Sequence, residues 1–238
     1  MHTATFEYKD GETVLEAYIA YDKGIDGPRP CVLVAHDWTG RRGFATSKAD
    51  EIAKLGYVGI AIDMYGKGVF GKDSDPGYNV SLMSPFATDR NLLRKRIDAA
   101  MSAAKAIEVV DNSKIAAMGY CFGGMCVLEL ARSGSEVLGV ISIHGIFSPG
   151  DIENKCITAK VLCLHGHDDP MVPPKQVLAF EVEMSDAGVD WQVHAYGDTV
   201  HAFTNPNAKD KASGAQFNPV VNERATVSIE HFLAEVFG

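Results

Sequence analysis

Lys114 to Gly124 reads KIAAMGYCFGG. The run up to Gly119 is short and apolar, as a buried strand is, and an apolar helical stretch begins at Gly123. Between them, Gly119-x-Cys121-x-Gly123 has the spacing of a strand-turn-helix elbow that presents a nucleophile, with cysteine in the usual serine position. The glycines have a physical reason. A helix that leaves so sharp a turn passes close to its own strand, and a side chain at either position would clash. The turn also sets the first free N–H groups of the helix beneath the sulfur, an environment that favours thiolate. Cys126, within the helix, reads as core packing rather than as half of a redox pair.

On both sides of this elbow, strand and helix patterns alternate. Thr13 to Ala20 is an early strand, paired with Thr5 to Tyr8. Cys31 to Ala35 (CVLVA) and Tyr57 to Ile62 (YVGIAI) are buried strands flanking a helix over Ala45 to Leu55. Leu92 to Val110 carries Leu93, Ile97, Ala100, Met101, Ala104 and Ile107 at helical spacing. Beyond the elbow helix, Gly123 to Ala131, come strands over Val137 to Ile143, Val161 to Leu164 and Trp191 to Tyr196. Helices over Pro173 to Ala187 and Asn222 to Val236 complete the series. This order predicts one α/β domain, residues 1–238, with a mostly parallel sheet and helices on both faces. Two long stretches, Gly66 to Pro85 and Ala202 to Pro219, show no such pattern and are expected to be loops framing a pocket.

Composition narrows the function classes. The 238 residues are 46% hydrophobic and 22% charged, with a formal net charge of −9. An acidic chain without a basic face is not expected to bind nucleic acid. No apolar run has the length of a membrane span, and Met1 to Tyr8 lacks the pattern of an export signal. The five cysteines lack framework spacing and are read as reduced thiols in a cytoplasmic protein. Monomer and homodimer are both compatible with the sequence.

In parallel sheets, ligands bind beyond the carboxyl ends of the strands. The residues that follow two later strands are Gly166-His-Asp-Asp169-Pro170-Met-Val172-Pro173 and Gly197-Asp-Thr-Val-His201-Ala-Phe203. The order nucleophile, acid, histidine selects His201 as base and Asp169 as the acid that orients it, with Asp168 as the alternative acid. His194 and His167 are weaker candidates for the base. Acyl transfer also needs two N–H donors for the developing oxyanion. These are assigned to Phe122, directly after the nucleophile, and to Trp38 in His36-Asp37-Trp38-Thr39-Gly40 after an early strand. Tyr65, Phe122, Trp38 and Phe203 are expected to line the site.

Taken together, the Gly119 to Gly124 elbow, the Asp169-x-x-Val172-Pro173 turn, His201-Ala202-Phe203 and Asp37-Trp38 resemble the dienelactone hydrolase family. The resemblance runs from Thr13 to the C-terminal helix. It implies an α/β-hydrolase fold, a Cys121–His201–Asp169 triad, hydrolysis of small esters or lactones, and no metal or organic cofactor. It also implies that the acid at position 37 takes part in activating the thiol, although Asp37 is one methylene shorter than the family's glutamate. The family places a substrate-binding arginine four residues after the histidine, where this chain has Asn205. The chemistry therefore carries over, and a dienelactone substrate does not.

Two other readings compete. His165-Gly-His167-Asp-Asp169 contains H-x-H-x-D, a spacing that can hold a metal for hydrolysis. A reactive cysteine on a hydrolase fold can also serve as a non-catalytic thiol sensor. The glycines around the elbow lack the G-x-G-x-x-G spacing and the lysine of nucleotide loops.

Overall fold

The computed structural model describes residues 1–238. Eight strands form one sheet: β1 (His2–Asp10), β2 (Thr13–Tyr21), β3 (Arg29–Ala35), β4 (Val58–Ile62), β5 (Val110–Tyr120), β6 (Gly139–Ile143), β7 (Lys160–Gly166) and β8 (Trp191–Tyr196). Their spatial order is β1-β2-β4-β3-β5-β6-β7-β8. The β1–β2 hairpin joins the edge antiparallel, and every pair from β4 to β8 is parallel. Parallel neighbours require crossovers. Helices α1 (Gly43–Lys54), α2 (Pro76–Thr88), α3 (Arg90–Lys105), α4 (Phe122–Arg132) and α5 (Pro174–Asp186) supply them, except between β6 and β7, which an irregular segment joins, and α6 (Pro219–Phe237) closes the chain.

Strand alternation divides the core in two. Cys31, Leu33 and Ala35 of β3 face a layer built with α3, α4 and α5, which supply Leu93, Ile97, Met125 and Phe180. Val32 and Val34 face the opposite layer, where α1 and α6 supply Ala49, Ile52, Val221 and Leu233. Burial on both faces explains why the central strands read as unbroken apolar runs.

Both stretches expected as plain loops contain structure. The first holds α2, which begins at Pro76 with the Asp75 side chain accepting from the Tyr78 N–H. Proline at the first helical position and a capping aspartate are ordinary start signals. Glycines ahead of the helix and Pro85 within it hid the pattern. The second holds a short hairpin, β9 (Lys209–Asp210) with β10 (Ala215–Gln216). It folds back on His201, whose N–H donates to Gly214 O at 2.9 Å and whose carbonyl accepts from Gln216 N at 3.0 Å.

The close approach inferred at the elbow is tight. A Cβ on Gly119 would lie 2.1 Å from Gly123 O, and one on Gly123 would lie 2.2 Å from Ala35 O. Both obstacles are backbone, so no rotamer change relieves them. Gly119→Ala is expected to destabilise the fold by about 3 kcal/mol. For a chain of this size that lowers the melting temperature by roughly 6–12 °C, readable by thermal denaturation. An unchanged melting temperature would mean that strand and helix separate freely here.

Candidate active site

The carboxyl ends of β3, β5, β6, β7 and β8 lead into one cavity of about 370 Å³, whose lining includes Trp38, Cys121, His144 and His201. Cys121 stands between β5 and α4 with φ 56° and ψ −113°. That backbone is costly for any residue except glycine, by about 1–3 kcal/mol. The surroundings hold it: Cys121 N donates to Ile143 O at 3.0 Å, and Gly124 N donates to Cys121 O at 3.0 Å. His144 and Ala202 share the positive-φ region, at 39° and 57°, and both line the same cavity. Three of the four such non-glycine residues therefore ring one site, and strain of this kind gathers where a fold is shaped for function.

Asp169 and His201 meet here although they are far apart in the chain. Asp169 is 1% exposed. Its Oδ1 accepts from Met171 N at 2.8 Å, and its Oδ2 lies 2.7 Å from His201 Nδ1. The neighbouring Asp168 is exposed to solvent. His201 Nε2 is buried without a hydrogen-bond partner. Burial disfavours the charged ring, but the neighbouring Cys121 and the hydrogen bond to Asp169 outweigh it, and the pKa is pushed up to about 10.

The loop after β3 is ordered by its own side chains. Asp37 Oδ1 accepts from Thr39 N at 2.8 Å and from Thr39 Oγ1 at 2.6 Å, closing a turn around Trp38. Neither the Trp38 N–H nor the Phe122 N–H donates to an acceptor within the chain. Two expected wall residues stand behind the wall instead. Tyr65 stacks on Phe122 with ring centroids 5.6 Å apart and donates its hydroxyl to Trp38 O at 3.1 Å. Phe203 is fully buried, edge-on to His144 at 5.2 Å. The Phe122 side chain is also buried. Asn205 does line the cavity.

His144 is the residue that sequence reasoning missed. Its ring lies 4.9 Å from that of His201 in an edge-to-face arrangement, and its Nε2 is 2.9 Å from Thr204 Oγ1. Burial and the neighbouring His201 hold its pKa well below the usual imidazole range, so it stays neutral. Its place directly after β6 was the available signal, since parallel strands deliver their functional side chains there.

The H-x-H-x-D segment does not converge. His165 is buried against Phe147 with ring centroids 5.4 Å apart, His167 points to solvent, and Asp169 is engaged by His201. No three His, Cys, Asp or Glu side chains gather as a ligand set anywhere in the chain. The metal reading is corrected on that geometry. No helix is long and apolar enough to cross a membrane.

Comparison with known proteins agrees with this architecture. The crystal structure of a dienelactone hydrolase-like promiscuous phosphotriesterase from metagenomic libraries superposes with a TM-score of 0.93 at 33% identity, covering 100% of this chain and 99% of that one. An uncharacterized protein of Caenorhabditis elegans is 32% identical over 63% of this chain and 98% of its own length. A putative carboxymethylenebutenolidase of Aquifex aeolicus is 23% identical over 86% of this chain and 88% of its own. The family model for dienelactone hydrolases matches residues 15–237. With an elbow between β5 and α4, a parallel sheet behind it and this match over nearly the whole length, the chain belongs to the dienelactone hydrolase family and is a carboxylic ester hydrolase of the α/β-hydrolase fold.

Proposed function

We propose that the protein hydrolyses small activated esters or lactones through an acyl-enzyme on Cys121. The observation that carries this reading is the two-sided state of His201: Nδ1 tied to a buried carboxylate, Nε2 unpartnered, and a pKa raised by Cys121. In this reading the pair works as thiolate and imidazolium. The thiolate attacks the acyl carbon and a C–S bond forms. The carbonyl oxygen gains negative charge opposite the free N–H groups of Trp38 and Phe122. The C–O bond then breaks, and the leaving oxygen takes the proton from His201 Nε2. In the second half, His201 removes a proton from water, the hydroxide attacks the thioester, and the thiolate departs. Asp169 keeps the ring in one orientation and stabilises its charge. Asp37 holds the Trp38 turn with one oxygen, and the other has no partner within the chain.

Intact-mass spectrometry of enzyme quenched in acid during turnover of p-nitrophenyl butyrate tests the intermediate. The expected result is an acyl adduct on the peptide that carries Cys121. An adduct on another residue overturns the assignment.

The raised pKa also fixes the sign of a pH effect. His201 delivers its proton only while charged, and that form is populated below about pH 10 and lost above it. Acylation rates are therefore expected to hold through pH 9 and fall near 10, read as the burst rate against pH. A fall near the ordinary imidazole pKa of about 6.5 would remove the ion pair from the mechanism.

The phosphotriesterase among the structural relatives supports a second activity at the same centre. The thiolate attacks phosphorus of a neutral aryl dialkyl phosphate, an S–P bond forms, and the P–O bond to the aryl group breaks with release of phenolate; His201 then takes a proton from water, the hydroxide attacks phosphorus, and the S–P bond breaks to give the dialkyl phosphate and the free thiolate. Hydrolysis of such a triester is expected in the wild type and absent in Cys121→Ala. Equal rates in the two proteins would exclude it.

A further inference from the structure

The cavity at Cys121 is one of two joined chambers. Its own walls are mainly apolar, from Met83, Ile146, Met171, Ala208 and Ala215. A second chamber of about 670 Å³ is polar, with Arg42, Asp73, Asn79, Asn205 and Asn207 in its lining. The two share Asp37, Trp38, Phe44, Asn205 and Asn207, so one molecule can occupy both.

The charges in this outer chamber select against anions. No lysine or arginine lines the inner chamber. The outer one has Arg42, and its guanidinium is engaged by Asp73 at 2.6 Å. Asp37 faces both chambers, which leaves the lining net negative. A carboxylate brought in would lose hydration, meet the charge of Asp37, and have to compete with Asp73 for Arg42.

The remaining polar groups suit hydroxyls. Asn79 is satisfied at both ends by the Lys72 backbone and is part of the wall. Asn205 Oδ1 accepts from Asn207 N at 2.9 Å, which leaves its NH₂ free. The Asn207 side-chain amide makes no hydrogen bond within the chain, and Asp37 keeps one free oxygen. Free donors thus stand beside free acceptors, and a hydroxyl is the neutral group that uses both.

The chain also orients the substrate. Cys121 lines the apolar chamber and not the polar one. The acyl group bonded to its sulfur therefore rests among Met83, Ile146 and Met171, and the departing alcohol is directed to the outer chamber.

Resting on that reading, we propose that the natural substrates are neutral esters with an apolar acyl part and a hydroxyl-bearing alcohol part, the alcohol being held by Asn205, Asn207 and Asp37. Water cleaves the acyl C–O bond, giving the apolar acid and a polyol.

Four esters test this on the wild-type protein: glyceryl monobutyrate, propyl butyrate, propyl glycerate and the butyrate ester of hydroxyacetic acid. The expected kcat/KM for glyceryl monobutyrate exceeds that for propyl butyrate by about tenfold, the worth of one or two net hydrogen bonds. Propyl glycerate, with its polar part on the acyl side, and the carboxylate-bearing ester are expected to fall below propyl butyrate. Asn207→Leu is expected to bring glyceryl monobutyrate down to the level of propyl butyrate. A wild-type protein that prefers the carboxylate-bearing ester, shows no preference for the polyol ester, or hydrolyses none of the four overturns the proposal. So does a preference that Asn207→Leu leaves intact. The order among esters reads the outer chamber alone. Activity that survives in Cys121→Ala would instead overturn the acyl-enzyme reading, with the order still measurable.

Discussion

Cys121→Ala is expected to lower turnover of short-chain p-nitrophenyl esters by at least about 10³-fold, in line with removal of a nucleophile that acts as a unit with its base. The substitution takes away the sulfur and little else. Alanine fits the same backbone, since the hydrogen bonds that hold φ at 56° come from main-chain groups of Ile143 and Gly124. The melting temperature is therefore expected to stay within about 2 °C of wild type, as for a change of well under 1 kcal/mol. Cys121→Ser separates nucleophile from shape. A hydroxyl does not ionise beside imidazole as a thiol does, so the serine variant should also lose most activity, and its His201 should titrate lower than in wild type. Assays with chelator present distinguish a metal contaminant. Equal turnover in wild type and Cys121→Ala would place the chemistry elsewhere.

The ease with which parts of this molecule can be read from its residues depends on how local their causes are. The elbow is readable because two backbone approaches, Gly119 on Gly123 and Gly123 on Ala35, demand glycine at fixed spacing. The central strands are readable because burial on both faces leaves no polar positions. His201 and Asp169 can be picked from chain order, since each follows a strand whose end faces the same cavity. The chain around α2 resists because Pro85 and the preceding glycines interrupt any helical period. His144 has no motif at all. Its one signal is its place directly after β6; that β6 lies between β5 and β7, and that the backbone there turns to φ 39°, leaves no local trace. Phe203, expected to line the site, follows Ala202, which turns the chain at φ 57°, and is buried against His144. Nearness in sequence to a reactive residue does not specify direction, and a single left-handed residue reverses it.

The second large effect separates the two adjacent carboxylates. His201→Ala should abolish turnover about as completely as Cys121→Ala, because nucleophile and base fail together. Asp169→Asn is expected to lower kcat by about 10²–10⁴-fold, and Asp168→Asn to leave it within about twofold, as for an exposed surface change. The reason lies in hydrogen-bond polarity. Asp169 Oδ2 accepts from His201 Nδ1 at 2.7 Å while Oδ1 accepts from Met171 N. An asparagine must keep its carbonyl toward Met171 N, so its NH₂ faces Nδ1. The ring then carries its proton on Nε2 when neutral and can no longer take one from the thiol. Asp169 is also one of the groups that raises the His201 pKa. Its removal should move the alkaline fall in acylation downward from about pH 10, a shift that Asp168→Asn lacks. A merely structural role for Asp169 would lower activity through unfolding, at every pH alike, and leave that limb in place. If Asp168→Asn were instead the variant that moves the limb and loses the rate, the buried contact would not be the working one, and the loop after β7 would have to rearrange before the ester is cleaved.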